Sequence, residues 1–130
     1  MLHRVAYVPE AKDAQNADIR AAVIVLEGNV MGGPDGGKLH QTLHDLQAQG
    51  KEHPGHLNVV VDLSKVSLMN SSGLGMLISG MVAMRNAGGD LRLAALPDRI
   101  SVILSTTRMN KVFKQFPTVE EALASYDTPA

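Results

Sequence analysis

A serine hydroxyl can accept a phosphate, and the start of a helix favours an anion. The stretch LMNSSGLGML, residues 68–77, is therefore the first place to look for chemistry. Ser71 and Ser72 end one apolar run and open another, and Gly73 and Gly75 fall where the first helical turn should be. Glycine inside a helix costs about 1 kcal/mol relative to alanine. Asn70 or Ser71 can cap the turn, which contributes about 1 kcal/mol, but capping explains neither glycine. A phosphate on Ser71 would set its charge against the free N–H groups of the turn, and bare glycine backbone beside it would admit a modifying enzyme.

Two other groupings imitate known chemistry. Gly32, Gly37 and Lys38 in GGPDGGKL have the spacing of a nucleotide phosphate loop, between a strand and a helix. That pattern continues with Ser or Thr to hold magnesium, and Leu39 stands there instead. Pro34 removes an N–H donor and Asp35 adds a negative charge, so the expectation is an ordinary loop. His40 and His44 lie four apart on one expected helix, with His53 and His56 beyond it. They lack the acid of the His-Glu-x-x-His zinc motif, so no metal is expected. Ser71 and Ser72 do not sit in a Gly-x-Ser-x-Gly elbow either, and the chain reads as a non-enzyme.

The elements that must position Ser71 follow from periodicity. HRVAYVPE and RAAVIVLEGNV read as strands, and KLHQTLHDLQAQG reads as a helix with Leu39, Leu43 and Leu46 on one face. HLNVVVDLS suits a central strand, and residues 71–87 read as a helix ended by NAGGD. DLRLAAL alternates like a strand, PDRISVILSTTRM reads as a helix, and KVFKQF as a short strand or turn. TVEEALASY closes the chain as a helix opened by the capping box Thr118-x-x-Glu121. The alternation predicts one α/β domain over residues 1–130, a sandwich with helices mainly on one side of the sheet.

On the helix after Ser71, Leu74, Leu77, Ile78 and Met81 share the expected core face. Ser72, Met76, Ser79, Ala83 and Ala87 take the other side, with Gly80 at its margin, and no charge occurs from Ser71 to Met84. Surface helices normally show charge outward. Either another element covers this side, or it receives a partner.

Twelve basic against thirteen acidic residues give no field for a nucleic-acid backbone, and two Phe, two Tyr and no Trp give few stacking platforms. With no cysteine, disulfides and thiolate metal sites are excluded. No run reaches the ~20 apolar residues of a membrane span, nor is there a signal-peptide core, so a cytoplasmic protein is expected.

The segment VVVDLSKVSLMNSSGLGMLISGMVAMRNAGGDLRLAAL resembles the STAS domain of bacterial anti-sigma-factor antagonists. RISVILSTTRMNKVFKQFPTVEEAL is similar to that family's closing elements, so the resemblance covers roughly Arg20 to Tyr126. It implies a mixed sheet of four to five strands with helices packed mainly on one face. It also implies a switch in which Ser71 is phosphorylated by a serine kinase that is itself the anti-sigma factor, and restored by a serine phosphatase. Ser72 would be its neighbour, and Asn70, Ser72, Gly73 and Gly75 would meet the partner, together with Met76, Ser79, Gly80 and Ala83 from the uncharged side of the helix. No cofactor, metal, nucleic acid or membrane is implied. Two positions depart from the family pattern: Asn70 replaces the Asp before the phosphoacceptor, and Met31 replaces the Asp of Gly-Glu-Leu-Asp. Two further readings stand beside the switch: a STAS scaffold that docks regardless of phosphorylation, and a nucleotide-binding protein using Gly32–Lys38.

Overall fold

The computed structural model describes residues 2–9, 19–31, 33–50 and 57–127. Its centre is a five-stranded mixed sheet whose spatial order follows the chain. Strand β1 (Leu2–Pro9) runs antiparallel to β2 (Ile19–Val30), and β3 (Asn58–Met69), β4 (Asp90–Ala94) and β5 (Gln115–Phe116) continue in parallel. β3 is central because its apolar run is buried on both faces. Val59 and Val61 join the main core, while Val60 joins a smaller one behind the sheet.

Three helices cover the first face: α1 (Pro34–Gln49), α2 (Ser71–Asn86) and α3 (Asp98–Thr106). Leu39, Leu43, Leu46, Leu77, Met81, Met84, Ile100 and Leu104 fill the space between them and the sheet. The sequence-derived core face of α2 holds, except that Ile78 is half-buried. Among the described residues, helix α4 (Val119–Asp127) alone packs on the other face, through Ala122, Val119, Leu123 and Tyr126. Its first turn is capped as expected, with Thr118 Oγ1 accepting the Glu121 N–H at 3.1 Å. A 3-10 turn (Met109–Lys111) connects α3 to β5.

α1 begins earlier than its leucine spacing indicates. Pro34 occupies the first helical turn, which suits a residue without an N–H and with φ fixed near the helical value. The supposed phosphate loop is thus already helix. The Gly36 N–H donates to Gly33 O at 3.0 Å and the Gly37 N–H to the same oxygen at 3.4 Å. Those two donors are turned inward rather than around a ligand, and Lys38 rides on the helix surface. The nucleotide-binding reading loses its cradle. Gly32, His53 and His56 lie outside the described residues.

One irregularity of the sheet sets up the site. β4 pairs only with residues 58–62 of β3, whereas β2 stays paired to Met69 through two register shifts. β3 and β2 therefore project together beyond β4, and α2 starts at the end of that projection.

Candidate functional site

β3 ends at Met69, and Asn70 turns the chain. Its N–H donates to Val30 O at 3.2 Å, tying the turn to the end of β2. Its side-chain Oδ1 accepts the Gly73 N–H at 2.8 Å, in the geometry of a helix N-cap. Of the two capping candidates the structure selects Asn70, which leaves Ser71 uncommitted. Ser71 is the first residue of α2 and exposed, as is Ser72. The first turn carries no acidic side chain. An anion here would meet the free N–H groups of the turn without carboxylate repulsion.

The two glycines have different causes. Gly73 is buried against Val30, and a Cβ there would overlap the Val30 carbonyl oxygen. It is the contact point between α2 and the end of β2. A Cβ on Gly75 would meet nothing within 4 Å, so no packing within the described chain accounts for this glycine. It stands one turn after Ser71, on the same side of the helix.

α1 answers the question left by the uncharged side of α2. Gly80 is buried, and a Cβ there would lie 2.6 Å from Leu43 Cδ1. Ala83 is half-buried, and its carbonyl accepts Gln47 Nε2 at 2.9 Å. Gly80 is packed against α1, so the expectation that it presents itself to a partner is corrected, while Ala83 stays half-buried beside it. Small residues here let two helices approach closely. Ser72 and Ser79 stay exposed, Met76 is half-buried, and Ala87 is exposed beyond the helix end.

Between the first halves of α1 and α2 runs an open cleft of about 300 Å³, lined by Gly33, Gly36, His40, Ser72, Gly75 and Met76 among others. His40 and Ser72 share this cleft, but no hydrogen bond joins them, so no nucleophile-base pair is assembled. His44 is exposed on α1. Among the described residues, no group of three or more His, Asp or Glu could hold a metal ion. No described helix is long and apolar enough to cross a membrane. Met31, at the end of β2, is exposed one residue past the Val30–Asn70 bond.

Sequence reading missed a buried polar cluster at the opposite end of α2. The Asp90 carboxylate accepts Arg85 Nε at 2.8 Å and Arg92 Nε at 3.1 Å. Tyr126 OH lies 2.6 Å from Val59 O and 3.0 Å from Asp90 O, and Arg92 stacks 4.0 Å from its ring centroid. Burial pushes the Tyr126 hydroxyl well above its ordinary pKa, although Arg92 opposes the shift. The signal that was present is Asp90 directly after Gly88-Gly89 with Arg92 two residues on, which alternation alone reads as strand surface.

A central strand delivering a capped serine-glycine turn to one edge of a mixed sheet is the arrangement to compare with known proteins. The family model for the STAS domain matches residues 18–122. The chain belongs to the STAS domain family. A Thermotoga neapolitana protein named as an anti-sigma factor antagonist homologue is 28% identical over 69 residues, covering 53% of this chain. The match spans 61% of that relative, so the chain covers less than two thirds of its length. Among solved structures, an anti-sigma factor antagonist from Mycobacterium paratuberculosis superimposes with a TM-score of 0.69 at 20% identity, covering 96% of both chains. The anti-sigma factor antagonist SpoIIAA in its unphosphorylated form gives 0.57 at 16% identity, covering 95% of this chain and 100% of that one. A further structure shows Bacillus SpoIIAA in its phosphorylated form, at 0.51 and 17% identity over 92% of this chain and 98% of that one. At these identities the structural likeness concerns the fold. Among the described residues this STAS domain has five strands, within the expected four to five, and four α-helices, with the expected majority of them on one face.

Proposed function

We propose that this STAS domain is an anti-sigma-factor antagonist, a cytoplasmic binding protein without catalytic activity, switched by phosphorylation of Ser71. A partner serine kinase, itself the anti-sigma factor, transfers the γ-phosphoryl group of ATP to Ser71 Oγ. The Oγ–P bond forms, ADP leaves and the hydroxyl proton is released. A serine phosphatase hydrolyses the ester and restores the hydroxyl. The single observation that carries this reading is the exposed Ser71 hydroxyl at the first position of α2, beside a cap supplied by Asn70 and free of acidic neighbours in its turn. The relative named as an anti-sigma factor antagonist supports the class of partner.

The unmodified turn, with Asn70, Ser72, Gly75, Met76 and Ser79, meets the partner, while the expected contact at Gly73 is corrected because that residue is buried against Val30. A phosphate of about −2 charge opposes the complex because association would have to desolvate it. A penalty of about 3 kcal/mol lowers affinity about a hundredfold.

Two measurements test the switch. Peptide mapping of the protein purified from its own cells should place a phosphate on Ser71. Titration of the kinase partner should give tight binding to Ser71→Ala and weak binding to Ser71→Glu. Absence of phosphate together with equal affinities would leave a phosphorylation-independent STAS scaffold, the reading that the neutral Asn70 and Met31 favour.

A further inference from the structure

Charge is distributed unevenly along this nearly neutral chain. Residues 85–114 hold six basic and two acidic side chains, whereas the rest of the chain holds six basic and eleven acidic. One of the two acids, Asp90, is buried between Arg85 and Arg92. The other, Asp98, sits at the start of α3, away from the cations at its end.

Three cations gather where α2 and α3 finish. Arg85 lies in the last turn of α2, and its Nη2 donates to Val112 O at 3.0 Å. That bond ties α2 to the 3-10 turn carrying Lys111. The Lys111 N–H donates to Arg108 O at 3.4 Å, which holds the two residues in one turn. Arg108 and Lys111 are exposed, and neither forms an ion pair among the described residues.

Arg108 also pays for its place. It follows the C-cap Thr107 with φ +64°, the left-handed position where helices usually use glycine. The helix macrodipole rewards a cation near a C-terminus, but it does not require a long side chain in a glycine conformation. Two valines on these two helices are exposed. Val82, 46% exposed, is one turn before Arg85 on α2, and Val102, 61% exposed, is one turn before the end of α3.

We propose that Arg85, Arg108 and Lys111 with Val82 and Val102 form a docking surface for an acidic, amphipathic segment of a protein partner. Carboxylates on the segment meet the three cations, and its apolar side chains cover the valines. Exposed valines give nothing to a phosphate backbone, and this surface includes no aromatic ring for base stacking; Phe113 is buried, and Phe116 and Tyr126 are half-buried. Arg85 lies about 21 Å along α2 from Ser71, so the cationic end of this surface stands apart from the phosphoacceptor.

Fluorescence anisotropy with a labelled peptide of about 18 residues, leucines on one helical face and glutamates elsewhere, tests this surface. Binding should weaken about tenfold or more in Arg108→Glu/Lys111→Glu, and again in about 0.5 M NaCl. Val82→Ser should weaken it at constant charge. Arg108→Gly separates recognition from strain: it should lose affinity while its melting temperature stays level or rises. The proposal is overturned if the wild-type protein ignores the peptide or the charge-reversed variant binds equally well. It is also overturned if single-stranded DNA or phosphatidylserine vesicles bind more tightly than the peptide.

Discussion

The α-carbon of Gly73 rests against the carbonyl oxygen of Val30, so closely that a Cβ would overlap that oxygen. This contact and the Asn70 N–H bond to the same oxygen lock the start of α2 to the end of β2. Alanine is the better helix former by about 1 kcal/mol, but backbone cannot yield as a flexible side chain does. Gly73→Ala should therefore destabilise by about 3 kcal/mol or more, read as a lowered midpoint in urea unfolding. A variant as stable as wild type would show that α2 moves freely on the strand end.

Gly75 gives the opposite sign. With open space around its missing Cβ, Gly75→Ala should stabilise α2 by about 1 kcal/mol. That corresponds to a melting temperature about 4 °C higher. If the proposed partner approaches this backbone, the same variant should bind it less tightly. Greater stability with weaker binding would mark a glycine kept for recognition.

The β3–α2 junction was legible because its signals are local: an apolar run, a capping residue and then a helical period. The start of α1 was not. Gly-Gly-Pro-Asp-Gly-Gly reads as a breaker, yet the helix begins at Pro34. Gly36 leaves room for Met76, whose sulfur would lie 3.2 Å from a Cβ at that position. Packing between helices there overrides poor local propensity. The wheel likewise showed that Gly80 and Ala83 lie away from the core face of α2, but not that α1 lies over them. The Asp90 cluster was hidden for a related reason, since Tyr126 meets Asp90 and Val59 only through the fold.

Asn70 separates capping from charge. Asn70→Ala removes the acceptor of the Gly73 N–H and should cost about 1 kcal/mol. Asn70→Asp keeps an acceptor and adds a charge that the helix start favours, so stability should hold or rise by about 0.5 kcal/mol in low salt. With phosphate on Ser71, however, that carboxylate would repel its neighbour. Phosphorylation should then stabilise Asn70→Asp less than it stabilises the wild type, a difference that differential scanning calorimetry of both proteins with and without the phosphate would measure.

Tyr126 supplies the pH dependence. Its hydroxyl bonds Val59 O and Asp90 O in a half-buried setting, and desolvation raises its pKa. In the unfolded chain a tyrosine ionises at about pH 10. The folded protein holds Tyr126 protonated at that pH, so its contribution is fully present below about pH 10 and is lost progressively above it. An absorbance titration should therefore find one of the two tyrosines silent near pH 10 until the fold opens. Tyr126→Phe removes the hydroxyl and leaves its carbonyl partners short of a bond, costing about 1–3 kcal/mol at neutral pH. It should also flatten the alkaline loss of stability. A variant with the wild-type alkaline slope would place the titrating group elsewhere.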